Sequence, residues 1–214
     1  MTSDFDASGD LAAVADQLEA VTLRRRGGGP AIEIEHALRR AVSAKEIDGS
    51  GGKLAVGDLT WHLPAAEAQP APQIGDVVVG SDARRWTILE LVQSSHSGRW
   101  RAACRDLALA HGLRDVVRLQ RAEWHKGTAG ALVATWRDVQ FGIAARISAG
   151  PAEAVVERDR GALRATFTVL LAEPLPIVGT QRLVDSAGQV YEIVRYEPAD
   201  RLEVPHAVQV VRSE

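Results

Sequence analysis

Six histidines, one cysteine, five tryptophans and a run of three arginines are the side chains here with chemistry to offer. Cys104 stands alone, which excludes an internal disulfide and any zinc site built from several cysteines, so the fold does not rest on an oxidising compartment. In Arg99-Trp100-Arg101-Ala102-Ala103-Cys104-Arg105 strand alternation puts Trp100, Ala102 and Cys104 on one face and Arg99, Arg101 and Arg105 on the other. Cys104 is then a small core thiol, because a nucleophile needs a paired histidine and an accessible, electropositive setting. His36, His62, His96, His111, His125 and His206 show neither His-x-His nor His-Glu-x-x-His spacing. Gly-x-Ser-x-Gly, Walker and Gly-x-Gly-x-x-Gly patterns are missing too, so the sequence points away from an enzyme and implies no cofactor or metal.

Arg24-Arg25-Arg26-Gly27-Gly28-Gly29-Pro30 sets glycines beside cations, but a phosphate cradle of the P-loop kind needs a Lys-Ser/Thr ending and a following helix. The ordinary reading of Arg24, Arg25 and Arg26 is a solvated strand end; in a ring-shaped assembly they would face DNA or an acidic partner. Trp61, Trp86, Trp100, Trp124 and Trp136 could stack on bases or sugars, as small barrels sometimes do, although alternation assigns Trp86 and Trp100 to a core.

The elements that hold these residues are written twice. Ile74 to Val79, the turn Gly80-Ser81-Asp82-Ala83 and Arg84 to Val92 form one hairpin pattern, and Val178 to Val184, Asp185-Ser186-Ala187-Gly188 and Gln189 to Val194 form another. Trp86 with Tyr191 and Ser43 with Ser148 share one offset. A length of 214 residues, 46% hydrophobic, suits two units of about 100 residues, each with a modest core. The expected organisation is a helical segment over 1–20, striped by Leu11, Val14, Ala15 and Leu18, a first unit over 21–107, a joint at 108–112 and a second unit over 113–214. Ala31 to Leu38 and Arg39 to Ala44 read as two strands, Lys45 to Gly52 as an exposed loop, and Pro64 to Gln73 as a crossing connection. In the second unit Trp124 to Ala131 reads as a hairpin tip, with the unit's extra length in that first hairpin. Gly150 to Gly161, the counterpart of the Lys45 loop, reads as an exposed loop or extended arm. The fold class is mainly β: two tandem small antiparallel β-barrels, or sandwiches, with a short N-terminal helix.

A net charge of −3 and a pI near 6.1 give no global field toward nucleic acid or an anionic membrane. No apolar run approaches the roughly 20 residues of a membrane span, and the start Met1 to Asp6 is acidic where a secretory signal is basic, so a soluble intracellular chain is expected.

The second unit, with Val117-Arg118-Leu119-Gln120-Arg121, Thr135-Trp136-Arg137-Asp138, Ala144-Ala145-Arg146-Ile147, a charged loop, Phe167-Thr168-Val169 and Val184-Asp185-Ser186-Ala187-Gly188-Gln189-Val190-Tyr191-Glu192-Ile193, resembles the head-tail joining proteins of long-tailed bacteriophages. The likeness covers roughly Leu113 to Arg212 in element order and extends more weakly to the first unit, with Trp86 where Tyr191 stands. The resemblance implies a connector, adaptor or head-closure protein, docked as a homo-oligomeric ring between portal and tail and continuing or closing a channel through which DNA passes. Its partners would be further copies of itself, the portal or adaptor protein and tail proteins, with no membrane, in the virion and in the host cytoplasm during assembly. By the same resemblance the loop that reaches neighbouring subunits falls on Glu153, Val155, Val156, Glu157, Arg158 and Arg160, and by repeat on Lys45, Glu46, Ile47 and Asp48. From another class, a small-barrel binding module for nucleic acid or another ligand would use the exposed tryptophans and Arg24 to Arg26.

Overall fold

The structure, a computed structural model, describes residues 18–26, 28–94, 98–127, 130–150, 153–157 and 160–213, with backbone alone for 153–157 and 160–164. His96 and all but the last three residues of the expected helical segment fall outside the described residues; Leu18, Glu19 and Ala20 are strand. The chain divides into two compact units, Met1–Ala110 and His111–Glu214.

In the first unit, β1 (Leu18–Arg24), β2 (Ile32–Ala41), β3 (Leu59–Pro64), β4 (Val77–Val79), β5 (Arg85–Ser94) and β6 (Arg99–Arg105) form a closed antiparallel barrel in the order β1-β2-β3-β6-β5-β4. Period-two patterning builds it: Val21 and Leu23 of β1, and Trp86 and Ile88 of β5, are buried while their neighbours are not. Closure comes from β1 pairing with β4, Leu23 opposite Val78, so neither strand keeps a free edge. Trp61 and Trp86 fill the centre edge to face, 5.4 Å between centroids, an arrangement that adds about 0.5–1.5 kcal/mol to the burial of both rings.

Two expectations for this unit are corrected. Ile32–Ala41 is one strand, not two, and Lys45 to Gly52 is not simply a loop, because Ala44–Gly49 forms α1. Ser43 caps it: its hydroxyl accepts from the Glu46 N–H while Glu46 accepts from the Ser43 N–H at 2.9 Å, a reciprocal box that satisfies two otherwise unpaired donors. A single turn, α2 (Leu107–Ala110), closes the unit.

The second unit repeats the architecture. Strands β7 (Asp115–Lys126), β8 (Leu132–Ala149), β11 (Thr166–Leu171), β12 (Gln181–Asp185), β13 (Val190–Glu197) and β14 (His206–Arg212) close in the order β7-β8-β11-β14-β13-β12, which is the first unit's order strand for strand. The connection from second to third strand carries α1 in one unit and a separate hairpin, β9 (Glu153–Glu157) with β10 (Arg160–Arg164), in the other. Register makes the repeat quantitative. Trp86 opposite Val78 corresponds to Tyr191 opposite Leu183, and a bulge follows Ile88 as one follows Ile193. Ile88 faces Cys104, which faces Leu59; Ile193 faces Val210, which faces Phe167. Two residues on, Trp61 lies opposite Arg39 and Val169 opposite Ile147. Arg39 therefore matches Ile147, and the expected match of Ser43 with Ser148 is wrong by three residues: Ser148 is still in strand where Ser43 already caps a helix.

Candidate subunit interface

Closed barrels leave little backbone free, so the segments that leave them are the candidates for contact. The largest is the outer part of the β7–β8 hairpin. β12 accompanies β7 only as far as Arg121, opposite Gln181, whereas β7 and β8 stay paired out to Lys126 opposite Leu132. Beyond Arg121 the two strands run on as a ribbon. Alternation gives it two faces: Ala122, Trp124, Lys126, Leu132, Ala134 and Trp136 on one, Glu123, His125, Val133, Thr135 and Arg137 on the other. Trp124 is 57% and Leu132 67% exposed, two large apolar side chains that none of the described residues of their unit covers. Trp136, nearer the barrel, is covered: the Arg182 guanidinium lies 3.9 Å from its ring, and Arg182 Nε donates to Gln120 Oε1 at 2.8 Å.

Where the ribbon meets the barrel, β8 holds more residues than β7 across two short steps. Val139 is extra in one, and Phe141-Gly142 form the other, with Gly142 at φ 63°. These bulges throw Phe141 outward, 67% exposed, beside Val116 at 49%, and the two line a shallow groove with Arg118, Val184 and Asp185. Sequence reasoning located the long hairpin and its tip but not this pairing; the signal was the apolar residue set just before a glycine inside a strand pattern.

The interface residues expected in the first unit sit on and around α1. Glu46 is already engaged. Its Oε1 accepts from Arg40 Nη2 at 2.6 Å and Arg101 Nη2 at 2.7 Å, and its Oε2 accepts from Arg40 Nη1 at 3.1 Å and the Ser43 hydroxyl at 2.7 Å. The Arg40 bonds, then those from Ser43, hold the Glu46 carboxyl far below the usual carboxylate range. Ile47 is half-buried, while Lys45 and Asp48 point to solvent. Beside this cluster His62 is half-buried, and burial first, then the charges of Arg40, Arg101 and Arg99, lower its pKa.

In the second unit Glu153, Val155, Val156 and Glu157 lie on β9 and Arg160 opens β10, paired backbone to backbone with Glu157; Arg158 lies outside the described residues. The segment is thus a hairpin that pairs with itself. Arg24, Arg25 and Arg26 do not act as one patch. Arg25 turns inward, with Nη1 donating to Asp76 Oδ2 at 2.6 Å and Ala71 O at 2.8 Å, and Nη2 to Pro70 O, which ties the crossing connection to the barrel. Arg24 and Arg26 stay exposed. Trp61 and Trp86 are fully buried and Trp100 packs on the same core, so any stacking surface reduces to Trp124 and Trp136. Cys104 is fully buried, and burial pushes its thiol up. Among the described residues no three His, Cys, Asp or Glu side chains converge to hold a metal ion, and no helix is long and apolar enough to cross a membrane.

No family model matches the chain, and no curated protein matches it. Among solved structures it is similar to the solution structure of protein SF1141 from Shigella flexneri 2a, with 19% identity and a TM-score of 0.33 over 44% of this chain and 96% of that one.

Proposed function

We propose that the chain is a structural protein of a tailed phage or prophage particle, a head-tail connector or stopper that docks as a ring between portal and tail and continues or closes the DNA channel. One observation carries the reading beyond the sequence resemblance: two barrels of identical circular strand order, each sealed, with an apolar ribbon reaching out of the second. A sealed barrel cannot polymerise through strand edges, so a repeated contact around a ring falls to projecting elements, and Trp124 and Leu132 give that contact an apolar anchor. A net charge of −3 suits a conduit, which must pass DNA without gripping it.

The test is peptide mass spectrometry on density-purified particles induced from the source organism, with head and tail fractions separated. Recovery with complete particles, at low copy relative to the major capsid protein, is the expected result. Presence in the lysate with absence from every particle fraction overturns the reading.

A further inference from the structure

The second unit adds two features to the plan it shares with the first, and both arise on one pair of strands. In the first unit β1 and β2 part at the barrel rim, where Leu23 opposite Ile32 is the last pair. No residue is extra between Val21 opposite Ile34 and that pair. In the second unit β7 and β8 run on to Lys126 opposite Leu132, which makes the ribbon. Between Val117 opposite Ile143 and Leu119 opposite Gln140, β8 holds one extra residue, which turns Phe141 out and opens the groove beside Val116.

The ribbon is a knob. Trp124 and Leu132 stand exposed on one face, and Lys126, on the same face, has no ion-pair partner among the described residues. The groove is a hole of matching character. Phe141, Val116 and Val184 give it apolar walls, and its volume of about 290 Å³ admits a large side chain while lying at the lower limit, about 300 Å³, for small-molecule pockets. Its two charged residues are not alike. Arg118 is answered by Asp138 at 3.7 Å. Asp185 accepts from the Ala187 and Gln189 N–H groups and from Tyr191 Oη, but meets no cation among the described residues. An apolar projection tipped with a cation thus has its complement in an apolar hole that holds a carboxylate.

The knob cannot enter the hole of its own unit. Val116 and Trp124 lie eight residues apart on the unbroken strand Asp115–Lys126, about 26 Å at 3.3 Å per residue, and the ribbon leads away from the groove. We infer that the ribbon of one copy seats Trp124 in the groove of Val116 and Phe141 on a second copy of this chain, with Lys126 against Asp185. Knob and hole at opposite ends of one strand make the contact heterologous, the kind that repeats head to tail and closes rings. The inference rests on the ring reading and names the surface that receives the ribbon.

Sedimentation velocity on the full chain tests it, with melting followed by circular dichroism to show that each variant is folded. The wild type is expected to associate with concentration, beyond a dimer. Trp124→Ser, which spoils the knob, and Phe141→Ser or Val116→Ser, which spoil the hole, should each weaken association by about 30-fold or more with melting preserved. Lys126→Glu should weaken it by about 3-fold or more. An equimolar mixture of Trp124→Ser and Phe141→Ser chains is decisive. One chain keeps an intact hole and the other an intact knob, so the mixture should form a one-to-one dimer and stop there. A wild type monomeric at every concentration, association that survives the groove substitutions or Lys126→Glu, or a mixture that stays monomeric overturns the inference. So does association lost with Trp124→Ser alone, the mark of two ribbons pairing with each other. None of these outcomes bears on particle composition, by which the ring reading is judged separately.

Discussion

A Cβ placed on Gly80 would lie 2.9 Å from the ring of Trp86, which packs beneath the turn from β4 to β5. In the second unit Asp185 occupies the place of Gly80 and Tyr191 that of Trp86, and there Tyr191 Oη donates to Asp185 Oδ2 at 3.2 Å. Turn residue and core aromatic are matched as pairs, indole with glycine and phenol with carboxylate. Gly80→Ala should force the indole to shift and cost about 1–3 kcal/mol, read as a lower denaturation midpoint with unchanged slope.

The same turns differ at their last residue. Ala83 holds φ 61° where Gly188 holds φ 83°, and both N–H groups close the turn, onto Gly80 O at 3.0 Å and Asp185 O at 3.1 Å. Left-handed backbone penalises a side chain by about 1–2 kcal/mol. Ala83→Gly is therefore expected to stabilise the first unit by about 1 kcal/mol and Gly188→Ala to destabilise the second by a similar amount. Opposite signs in urea titrations check both; like signs would sink the equivalence of the two turns.

Asp76 is nearly inaccessible and its carboxylate serves three donors: Arg25 Nη1 at 2.6 Å, the Arg26 N–H at 3.1 Å and the Gln73 N–H at 2.9 Å. Asp76→Ala leaves a mostly buried guanidinium unpaired, and a loss of about 3–5 kcal/mol is expected. Equilibrium unfolding measures it, and a loss below 1 kcal/mol would show that the connection from β3 to β4 can be released cheaply.

His62 links stability to pH. Its folded pKa is lowered, by burial first and by Arg40, Arg101 and Arg99 after it, so the unfolded chain takes up the proton at higher pH than the folded one. The associated stability is fully present above the unfolded value of about 6.5 and declines as pH falls through it toward the folded value. His62→Gln should flatten the fall in urea midpoint between about pH 7 and 5. A slope unchanged by the substitution would assign the dependence to other groups.

The ribbon face is expected to serve contact rather than folding. Trp124→Ser and Leu132→Ser remove exposed side chains from a segment beyond the β12 pairing, so stability should change by no more than about 0.5 kcal/mol. Incorporation into particles should be lost. Normal incorporation of the double variant would remove the ribbon from the interface.

Strand alternation and turn residues made the barrels legible in sequence, because half-buried strands of a closed sheet keep period two: Val21 with Leu23 and Trp86 with Ile88 needed no tertiary knowledge. What misled was composition. Lys45-Glu46-Ile47-Asp48-Gly49 looks like loop, yet Ser43 three residues before Glu46 was the capping signal, and a six-residue helix is too short to show periodicity. Arg99 was placed correctly on the face opposite Trp100, but it is buried, with Nη1 donating to the carbonyls of His36 and His62. Such burial depends on what the connection after β3 lays over the barrel, which no local pattern records. The bulges that expose Phe141 are likewise a matter of two strands of unequal count, visible only once β7 and β8 are paired.

Each barrel is sealed by its first strand meeting its fourth, across about half the length of its unit or more. Such pairings carry the greatest loop-closure entropy, so they form late, after the local hairpins. Until then the chain exposes two first strands and two fourth strands of the same register, and β1 has both β4 and β12 to choose between during folding. The divergence of the pairing residues, Leu23 with Val78 against Leu119 with Leu183, and of the flanking Arg25 with Asp76 against Arg121 with Gln181, gives each closure its own partner. In kinetic terms the unequal repeats guard a duplicated chain against joining its halves to each other.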